Sequence, residues 1–161
     1  MTAHRERRAQ RSAWDYALGL VAAREYSAQG LRRKLVQKDY SPEEIDATLE
    51  RLLSSKLVDD TRYAAEYARQ KLVIGGAAVR RVRQELLRKG IDAATVNESV
   101  SQVMAYEEVN LESAMERIAV KKAASLGDID ERVKRQRLFG FLARKGYELD
   151  DIKRLIERVM R

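Results

Sequence analysis

Few side chains in this sequence have the types and spacing that catalysis requires. His4 is the only histidine, and it lies in a basic N-terminal tail, residues 1–11, that we expect to be disordered. No serine can therefore be activated by a histidine within the fold. The absence of cysteine removes thiol nucleophiles, disulfides and thiolate metal ligands. The stretch "IGGAAVRR" lacks the spacing and the Lys-Ser/Thr pair of a phosphate-binding loop, so the sequence predicts that the chain is not an enzyme.

Two pairs of neighbouring aspartates could suggest a metal site. The first is Asp59 with Asp60, and the second is Asp150 with Asp151. Adjacent residues on a helix do not face each other. Each pair also stands where a helix is expected to begin, and acidic side chains there favour the helix dipole. We therefore interpret both pairs as helix-capping residues and predict no metal site.

Basic side chains are the other chemically active groups, and they are in excess. The formal net charge is +7 at pH 7 and the sequence pI is near 9.7. Such an excess attracts polyanions, of which DNA and RNA are the usual ones. A basic surface that only keeps the chain soluble is the alternative. No apolar run approaches the roughly 18–20 residues that span a bilayer, so we expect no membrane partner.

Three similar stretches give these basic residues their structural setting. They are "RKLVQKDYSPEEI", "QELLRKGIDAATV" and "GFLARKGYELDDI", which align on Leu35, Leu86 and Leu142. In each, apolar residues recur at the spacing of one helix face, stop at a short break and then resume. A further apolar stripe at helical spacing precedes each pair. The pattern therefore predicts three helices in each repeat.

The break between the paired helices carries turn and capping signals. Gly90 and Gly146 stand just past a helix end, where glycine adopts the left-handed conformation without steric cost. Asp39 holds the same place in the first copy. In "SPEE", Ser41 and Glu44 can form the two halves of a capping box. A new helix is therefore expected to begin just after each break.

The predicted fold is all-α, an elongated array of three tandem three-helix repeats. The repeats cover residues 12–55, 56–106 and 107–161. Because a unit of about 50 residues buries little core alone, neighbouring units should stack. No connection is rich in proline or serine, and the paired Gly75 and Gly76 are expected to form the loosest internal joint.

The middle helix of each predicted repeat is rich in lysine and arginine. In the second copy, Val79, Val82 and Leu86 face inward, which leaves the basic residues on other faces. Stacked repeats could join these faces into one stripe that neutralises phosphates with little sequence preference. The alternative is a solvated helix face whose arginine stems cover apolar surface. The residues of this predicted partner- or DNA-binding surface, the basic stripe, are Arg32, Arg33, Lys38, Arg80, Arg81, Arg83, Arg88, Lys89, Lys134, Arg135, Arg137, Arg144 and Lys145.

Motifs in the second and third repeats resemble the RecX family of bacterial recombination regulators. "LVDDTRYA" at residues 57–64 is similar to the family's leucine-acid-acid-x-Arg-aromatic-Ala segment, and "ELLRKGI" follows at residues 85–91. The ending "RQRLFGFLARKGYELDDI" resembles that of the family. The resemblance covers roughly residues 12–160. Two features depart from it, because "IGGAAV" lacks the proline common in that turn and Asp39 replaces the expected glycine.

The resemblance implies a function that residue spacing does not. Proteins of this family bind the RecA recombinase and its filament on single-stranded DNA, in DNA recombination, repair and the SOS response. They restrain its ATPase and strand-exchange activity, and are proposed to lie in the filament groove or to stop filament growth. The resemblance also implies a cytoplasmic protein without cofactor or small-molecule substrate. We further expect a monomer.

Two other functions are compatible with the same residues. A non-specific DNA-binding helical module would act by masking DNA, and its affinity for bare DNA would fall steeply with salt. A helical scaffold for an unrelated acidic partner is the third hypothesis. The sequence is also compatible with basic helices that face either DNA phosphates or the acidic surface of a recombinase.

Overall fold

The computed structural model describes residues 11–107 and 110–160. His4 and nearly all of the predicted N-terminal tail lie outside this described part. The helices are α1 (Ala13–Ala23), α2 (Ala28–Val36), α3 (Pro42–Ser54), α4 (Asp60–Arg69), α5 (Val79–Arg88), α6 (Ala93–Tyr106), α7 (Leu111–Ser125), α8 (Glu131–Lys145) and α9 (Leu149–Val159). No strand occurs among the described residues, so the predicted array of three three-helix repeats is confirmed. We call α1–α3 unit 1, α4–α6 unit 2 and α7–α9 unit 3.

Serines begin the helices of unit 1. The Ser27 hydroxyl accepts a hydrogen bond from the backbone N–H of Gly30 at 3.1 Å and so caps α2. At the start of α3, Ser41 Oγ accepts from the N–H of Glu44 at 3.2 Å. The Glu44 carboxylate in turn accepts from the N–H of Ser41 at 2.9 Å. The predicted capping box is therefore confirmed.

The two aspartates of the first pair bind backbone N–H groups of different units. Asp59 caps α4, because its carboxylate accepts from the N–H of Arg62 at 3.0 Å, as the sequence predicts. Asp60 instead reaches into unit 1, where its Oδ1 accepts from the N–H of Ala28 at 2.8 Å. Ala28 is the first residue of α2, so the carboxylate supplies an acceptor to an N–H that its own helix leaves unpaired.

The second aspartate pair does not cap its helix, which corrects the capping interpretation. Asp150 and Asp151 lie in the first turn of α9, and Glu148 occupies the N-cap position without a side-chain cap bond. The two aspartates instead pair with Lys153 and Arg154, respectively, three residues further along the same helix. Their position still favours the helix dipole, as expected.

The repeated turn after each middle helix is left-handed in all three units. The φ angles are 59° at Asp39, 85° at Gly90 and 91° at Gly146. Asparagine and aspartate are the side chains that tolerate this region best after glycine, so Asp39 preserves the turn that the family resemblance ascribes to glycine.

Each unit packs a hydrophobic core of its own. Leu35, Leu86 and Leu142, on which the three sequence copies align, are each fully buried at the centre of a different core. The buried residues are Ala13, Ala17, Leu31, Leu35, Ile45, Leu49, Leu52 and Val58 in unit 1; Ala64, Ala68, Leu72, Ala77, Val82, Leu86, Ile91, Val96, Val100 and Val103 in unit 2; and Met115, Ala119, Leu138, Leu142, Ile152, Leu155 and Ile156 in unit 3. Each of these cores is therefore built within a single unit.

The middle helices of the units meet end to end. The carbonyl of Lys89, at the end of α5, accepts from the hydroxyl of Ser27 at 3.0 Å, where α2 begins. The carbonyl of Lys145, at the end of α8, accepts from the N–H of Ala78 at 3.0 Å, where α5 begins. At both junctions the negative end of one helix dipole therefore faces the positive end of the next.

The segment around Gly75 and Gly76 is tied to unit 3, although the sequence predicts the loosest joint there. Helix α4 continues into a π turn at Gln70–Ile74, which leads into the two glycines. Lys145 Nζ donates to the carbonyl of Gly75 at 2.7 Å, and Tyr147 Oη donates to the carbonyl of Gly76 at 3.0 Å. The glycines expose backbone carbonyls that side chains of the next unit can reach.

Candidate partner-binding surface

Several arginines of the basic stripe already hold carboxylates. The nitrogen-to-oxygen distances are 2.6 Å for Arg32–Asp46, 2.9 Å for Arg80–Glu148, 2.7 Å for Arg81–Glu85 and 2.8 Å for Arg135–Glu131. These pairs keep much of their surface in solvent, so each contributes little to stability. Their charge is nevertheless compensated, and a partner gains less from them than from an unpaired arginine.

Other side chains of the stripe donate to backbone carbonyls. The donor-to-oxygen distances are 3.0 Å for Arg33 to Arg88, 3.1 Å for Lys134 to Gly127 and 2.7 Å for Lys145 to Gly75. The bonds from Arg33 and Lys145 cross from one unit to the next. These two side chains therefore hold the array together, a role that the sequence pattern does not indicate.

Two lysines of the stripe lie over aromatic rings. The Nζ of Lys38 is 5.7 Å from the ring centroid of Tyr16. The Nζ of Lys89 is 4.9 Å from the ring of Tyr67 and 5.9 Å from that of Tyr63. Because an aromatic face attracts a cation, both lysines are engaged within their own units.

Arg88, Arg137 and Arg144 are exposed and are not engaged in this way. None of the three makes a hydrogen bond or an ion pair through its side chain with any other residue of the described part. Arg83 differs from them, because its Nε atom is buried and lacks a hydrogen-bond partner among the described residues. The exposed three are therefore the stripe residues whose guanidinium groups are most available to a partner.

A groove of about 510 Å³ crosses the boundary between units 2 and 3. This junction groove is lined by Arg80, Arg81, Gln84, Glu85, Arg88, Ala143, Arg144, Gly146, Tyr147, Glu148 and Leu149. It brings Arg88 of α5 together with Arg144 of α8. A guanidinium group matches carboxylate and phosphate oxygens with two parallel hydrogen bonds. The junction groove can therefore bind a partner that presents oxyanions to two units at once.

A larger cavity of about 670 Å³ lies beside the same boundary, but its cations are already paired. Arg80 holds Glu148, Arg154 pairs with Asp151, and Arg158 is 3.0 Å from Glu112. Its floor is apolar and includes Met115 and Leu155. This cavity therefore offers a partner less uncompensated charge than the junction groove does.

The Glu85 carboxylate stays charged within the junction groove. Burial alone would raise the pKa of Glu85, but hydrogen bonds from Tyr67 and Arg81, both at 2.7 Å, outweigh burial and hold the pKa below its ordinary value. Burial and the bond to Glu85 also raise the pKa of Tyr67. The Tyr67 hydroxyl therefore remains a donor, and Glu85 compensates the charge of Arg81 rather than that of Arg88.

The structure does not bring the whole basic stripe into the junction groove. Arg80, Arg81, Arg88 and Arg144 line it, whereas the stripe residues of unit 1 and of the first part of α8 do not. Tyr147 and Glu148 also line it. Their groove positions depend on contacts between units, for which the sequence carries no local signal.

Residues 11–107 and 110–160 contain no group of three or more histidine, cysteine, aspartate or glutamate side chains that could hold a metal ion. In the same ranges, no helix has both the length and the apolar character needed to cross a membrane.

Three three-helix units joined end to end, with a cationic groove between units 2 and 3, define an all-α tandem-repeat protein. Family models agree with this architecture unit by unit. The models of the RecX family match three successive segments: its first three-helix domain at residues 13–52, its second at 59–100 and its third at 111–156. The chain belongs to the RecX family.

Curated relatives extend along nearly the whole chain. "Regulatory protein RecX" of Actinobacillus pleuropneumoniae serotype 5b (strain L20) is 34% identical over 146 residues, which cover 91% of each chain. The protein of the same name in Chlorobium phaeobacteroides (strain BS1) is 28% identical over 151 residues, covering 94% of this chain and 95% of that one. These names describe a regulatory protein, which supports both a RecX regulatory role and the prediction that the chain is not an enzyme.

Solved structures support the fold. A crystal structure of RecX from Lactobacillus salivarius matches with a TM-score of 0.65 and 19% identity, over 91% of this chain and 94% of that one. A crystal structure of regulatory protein RecX matches with a TM-score of 0.69 and 23% identity, over 90% of this chain and 70% of that one. Similarity at this level of identity shows that the tandem three-helix fold is shared.

Proposed function

We propose that this chain binds the RecA recombinase and its filament on single-stranded DNA and restrains the ATPase and strand-exchange activities of the recombinase. Membership of the RecX family supports this partner. The observation that carries the proposal is the junction groove, where Arg88 and Arg144 have no acceptor among the described residues. Uncompensated guanidinium groups in a groove are suited to a partner that presents oxyanions.

The tandem construction supports docking on an extended partner. Because each unit has its own core and the middle helices meet end to end, one chain can contact several neighbouring subunits of a filament. A monomer of this kind could lie in the filament groove or block extension of the filament from one end. We place this activity in the cytoplasm.

We further propose that the residues of the basic stripe, apart from Arg83 with its buried Nε atom, divide into two groups. Arg88, Arg137 and Arg144 contact the partner directly, because their charges are uncompensated within the described part. The others hold carboxylates, carbonyls or rings within the array and add to the positive field that attracts the partner. They are Arg32, Arg33, Lys38, Arg80, Arg81, Lys89, Lys134, Arg135 and Lys145.

A second candidate function is non-specific DNA binding that acts by masking DNA. The net charge of +7 favours it, because guanidinium groups bind phosphates as readily as carboxylates. This function requires affinity for bare DNA at physiological salt, with a steep fall as salt increases.

Titration of the chain into the cognate recombinase, assembled beforehand on excess single-stranded DNA, tests the proposal. The rate of ATP hydrolysis is the readout, and a gel shift on the same bare DNA at the same salt is the control. We expect inhibition at concentrations well below those that shift bare DNA. Inhibition only where bare DNA is already coated would instead establish the masking function.

A further inference from the structure

One short turn of unit 3 makes three hydrogen bonds to unit 2. It consists of residues 145–147, between α8 and α9. The carbonyl of Lys145 accepts from the N–H of Ala78 at 3.0 Å, and its Nζ donates to the carbonyl of Gly75 at 2.7 Å. The hydroxyl of Tyr147 donates to the carbonyl of Gly76 at 3.0 Å. The turn therefore contacts unit 2 in the segment between the π turn that follows α4 and the start of α5.

Gly146 lets this turn come close to α5. Its φ angle is 91°, which a residue with a side chain rarely adopts. A Cβ atom at this position would lie 2.7 Å from the Cβ of Arg81 and 3.6 Å from the Cβ of Ala78. The first distance is far below van der Waals contact, so any side chain at residue 146 forces the two units apart or distorts the turn.

The close approach also builds the junction groove. Arg144 precedes the turn on α8, whereas Arg81 and Arg88 belong to α5, and the groove lies between them. The two helices share no hydrophobic cluster, since Leu86 and Leu142 belong to separate cores. The contacts of the turn therefore help to keep Arg144 and Arg88 in one groove, together with the Arg80–Glu148 ion pair and the hydrogen bond from Arg117 to the carbonyl of Val73.

We infer that Lys145, Gly146 and Tyr147 are positioning residues, which dock unit 3 against unit 2 and thereby join Arg88 and Arg144 into a single binding site for carboxylates of the recombinase filament. This inference rests on the proposed function and deepens it, because the partner must engage units 2 and 3 together. Affinity then depends on the geometry of the turn as well as on charge.

The variant Gly146→Ala tests this inference, because it changes no charge. Gly127→Ala is its matched control: Gly127 also lies in unit 3 with a positive φ of 67°, but a Cβ there meets nothing within 4 Å. We expect Gly146→Ala to raise the concentration needed for half-inhibition of the recombinase ATPase by roughly tenfold. Gly127→Ala should behave as the wild type does. Equal inhibition by the two variants would overturn the inference.

Two further readouts separate positioning from loss of stability. In the Gly146→Ala background, Arg144→Gln should weaken inhibition less than it does in the wild type, because Arg144 no longer shares the groove with Arg88. The chain has no cysteine, so spin labels can be placed at Asn97→Cys in α6 and Glu157→Cys in α9, both exposed. The distance between the labels should broaden or shift in Gly146→Ala and stay as in the wild type in Gly127→Ala.

If Gly146→Ala does not fold, the variant Tyr147→Phe provides a second test of the inference. It removes the hydroxyl that donates to Gly76 and retains the ring, and Tyr106→Phe, at an exposed tyrosine of unit 2, is its control. We expect Tyr147→Phe to inhibit the recombinase ATPase more weakly than the wild type does, and Tyr106→Phe to inhibit it equally well. An unchanged half-inhibition concentration in Tyr147→Phe, or a shifted label distance in Gly146→Ala with full inhibition, would overturn the inference. Failure of the wild type to inhibit would instead refute the proposed function.

Discussion

Individual arginines of the basic stripe differ in what they already hold. Arg80 pairs with Glu148 across a unit boundary, whereas Arg88 and Arg144 hold no acceptor in the described part of the chain. The sequence predicts that all three lie on middle helices, because helical spacing can be read from neighbouring residues. It does not predict which of them are compensated, because the pairing depends on where the next unit docks.

The hydrogen-bonded carboxylate of Glu85 makes stability depend on pH. Its pKa in the fold lies below the ordinary value of 4.5, so its contribution to stability is present above that value and is lost as pH falls through the lowered pKa. Glu85→Gln keeps acceptor capacity but no charge. We expect the wild type to have a higher free energy of unfolding than the variant. This difference should be largest above pH 4.5 and should shrink in acid.

Urea unfolding of both chains across this pH range measures the effect, with far-UV circular dichroism as the probe. A difference between the two chains that stays constant, or that grows as pH falls, would contradict the assigned direction of the pKa shift.

Two buried serines should respond to alanine in opposite directions. The Ser99 hydroxyl is fully buried and has no hydrogen-bond partner among the described residues, so Ser99→Ala should raise the free energy of unfolding by about 1 kcal/mol. The Ser27 hydroxyl accepts from Gly30 and donates to Lys89, so Ser27→Ala should lower it by about 1–2 kcal/mol. Thermal unfolding of the two variants beside the wild type measures both changes. Destabilisation by Ser99→Ala would indicate that its hydroxyl has a partner after all.

The helices and their ends follow closely from the sequence, because caps and turns are made by neighbours along the chain. Ser41 and Glu44 form the predicted box, Gly90 and Gly146 adopt the predicted left-handed turn, and Asp59 caps as predicted. The π turn at Gln70–Ile74 has no such local signal, because an ordinary helical pattern continues through it. The end-to-end contacts of the middle helices also escape sequence reasoning, since they join residues far apart in the chain.

The left-handed turn at the end of α5 should be more sensitive to a side chain than an open turn of the same conformation. A Cβ at Gly90 would lie 2.4 Å from the Cβ of Gln29 in unit 1, whereas one at Gly127 meets nothing within 4 Å. Gly127→Ala should therefore cost about 1–2 kcal/mol for the left-handed backbone alone. Gly90→Ala should cost about 1–3 kcal/mol more, because the overlap with Gln29 adds to it.

Urea unfolding of the two glycine variants at one pH provides the comparison. Equal losses in the two variants would show that unit 1 does not approach Gly90 as closely as the structure places it.

The molecule as a whole consists of three small units in tandem, each with its own hydrophobic core. Its fold class could be predicted from the repeated apolar pattern, because each three-helix unit is built from residues close in sequence. Its candidate binding site could be predicted only in part, because the junction groove is formed by two units. The docking of these units decides which arginines remain unpaired within the described part. We propose that Arg88 and Arg144 act together as the docking site for the recombinase filament.

The most direct test of that claim is ATP hydrolysis by the recombinase filament in the presence of a double variant, Arg88→Gln with Arg144→Gln. The matched control is Lys121→Gln with Arg132→Gln, which removes the same charge from exposed residues of unit 3 outside the basic stripe. We expect the first variant to need a concentration higher by roughly tenfold or more for half-inhibition, and the control to resemble the wild type. Equal losses in both double variants would show that inhibition depends on net charge alone. No loss in either would show that Arg88 and Arg144 do not bind the filament.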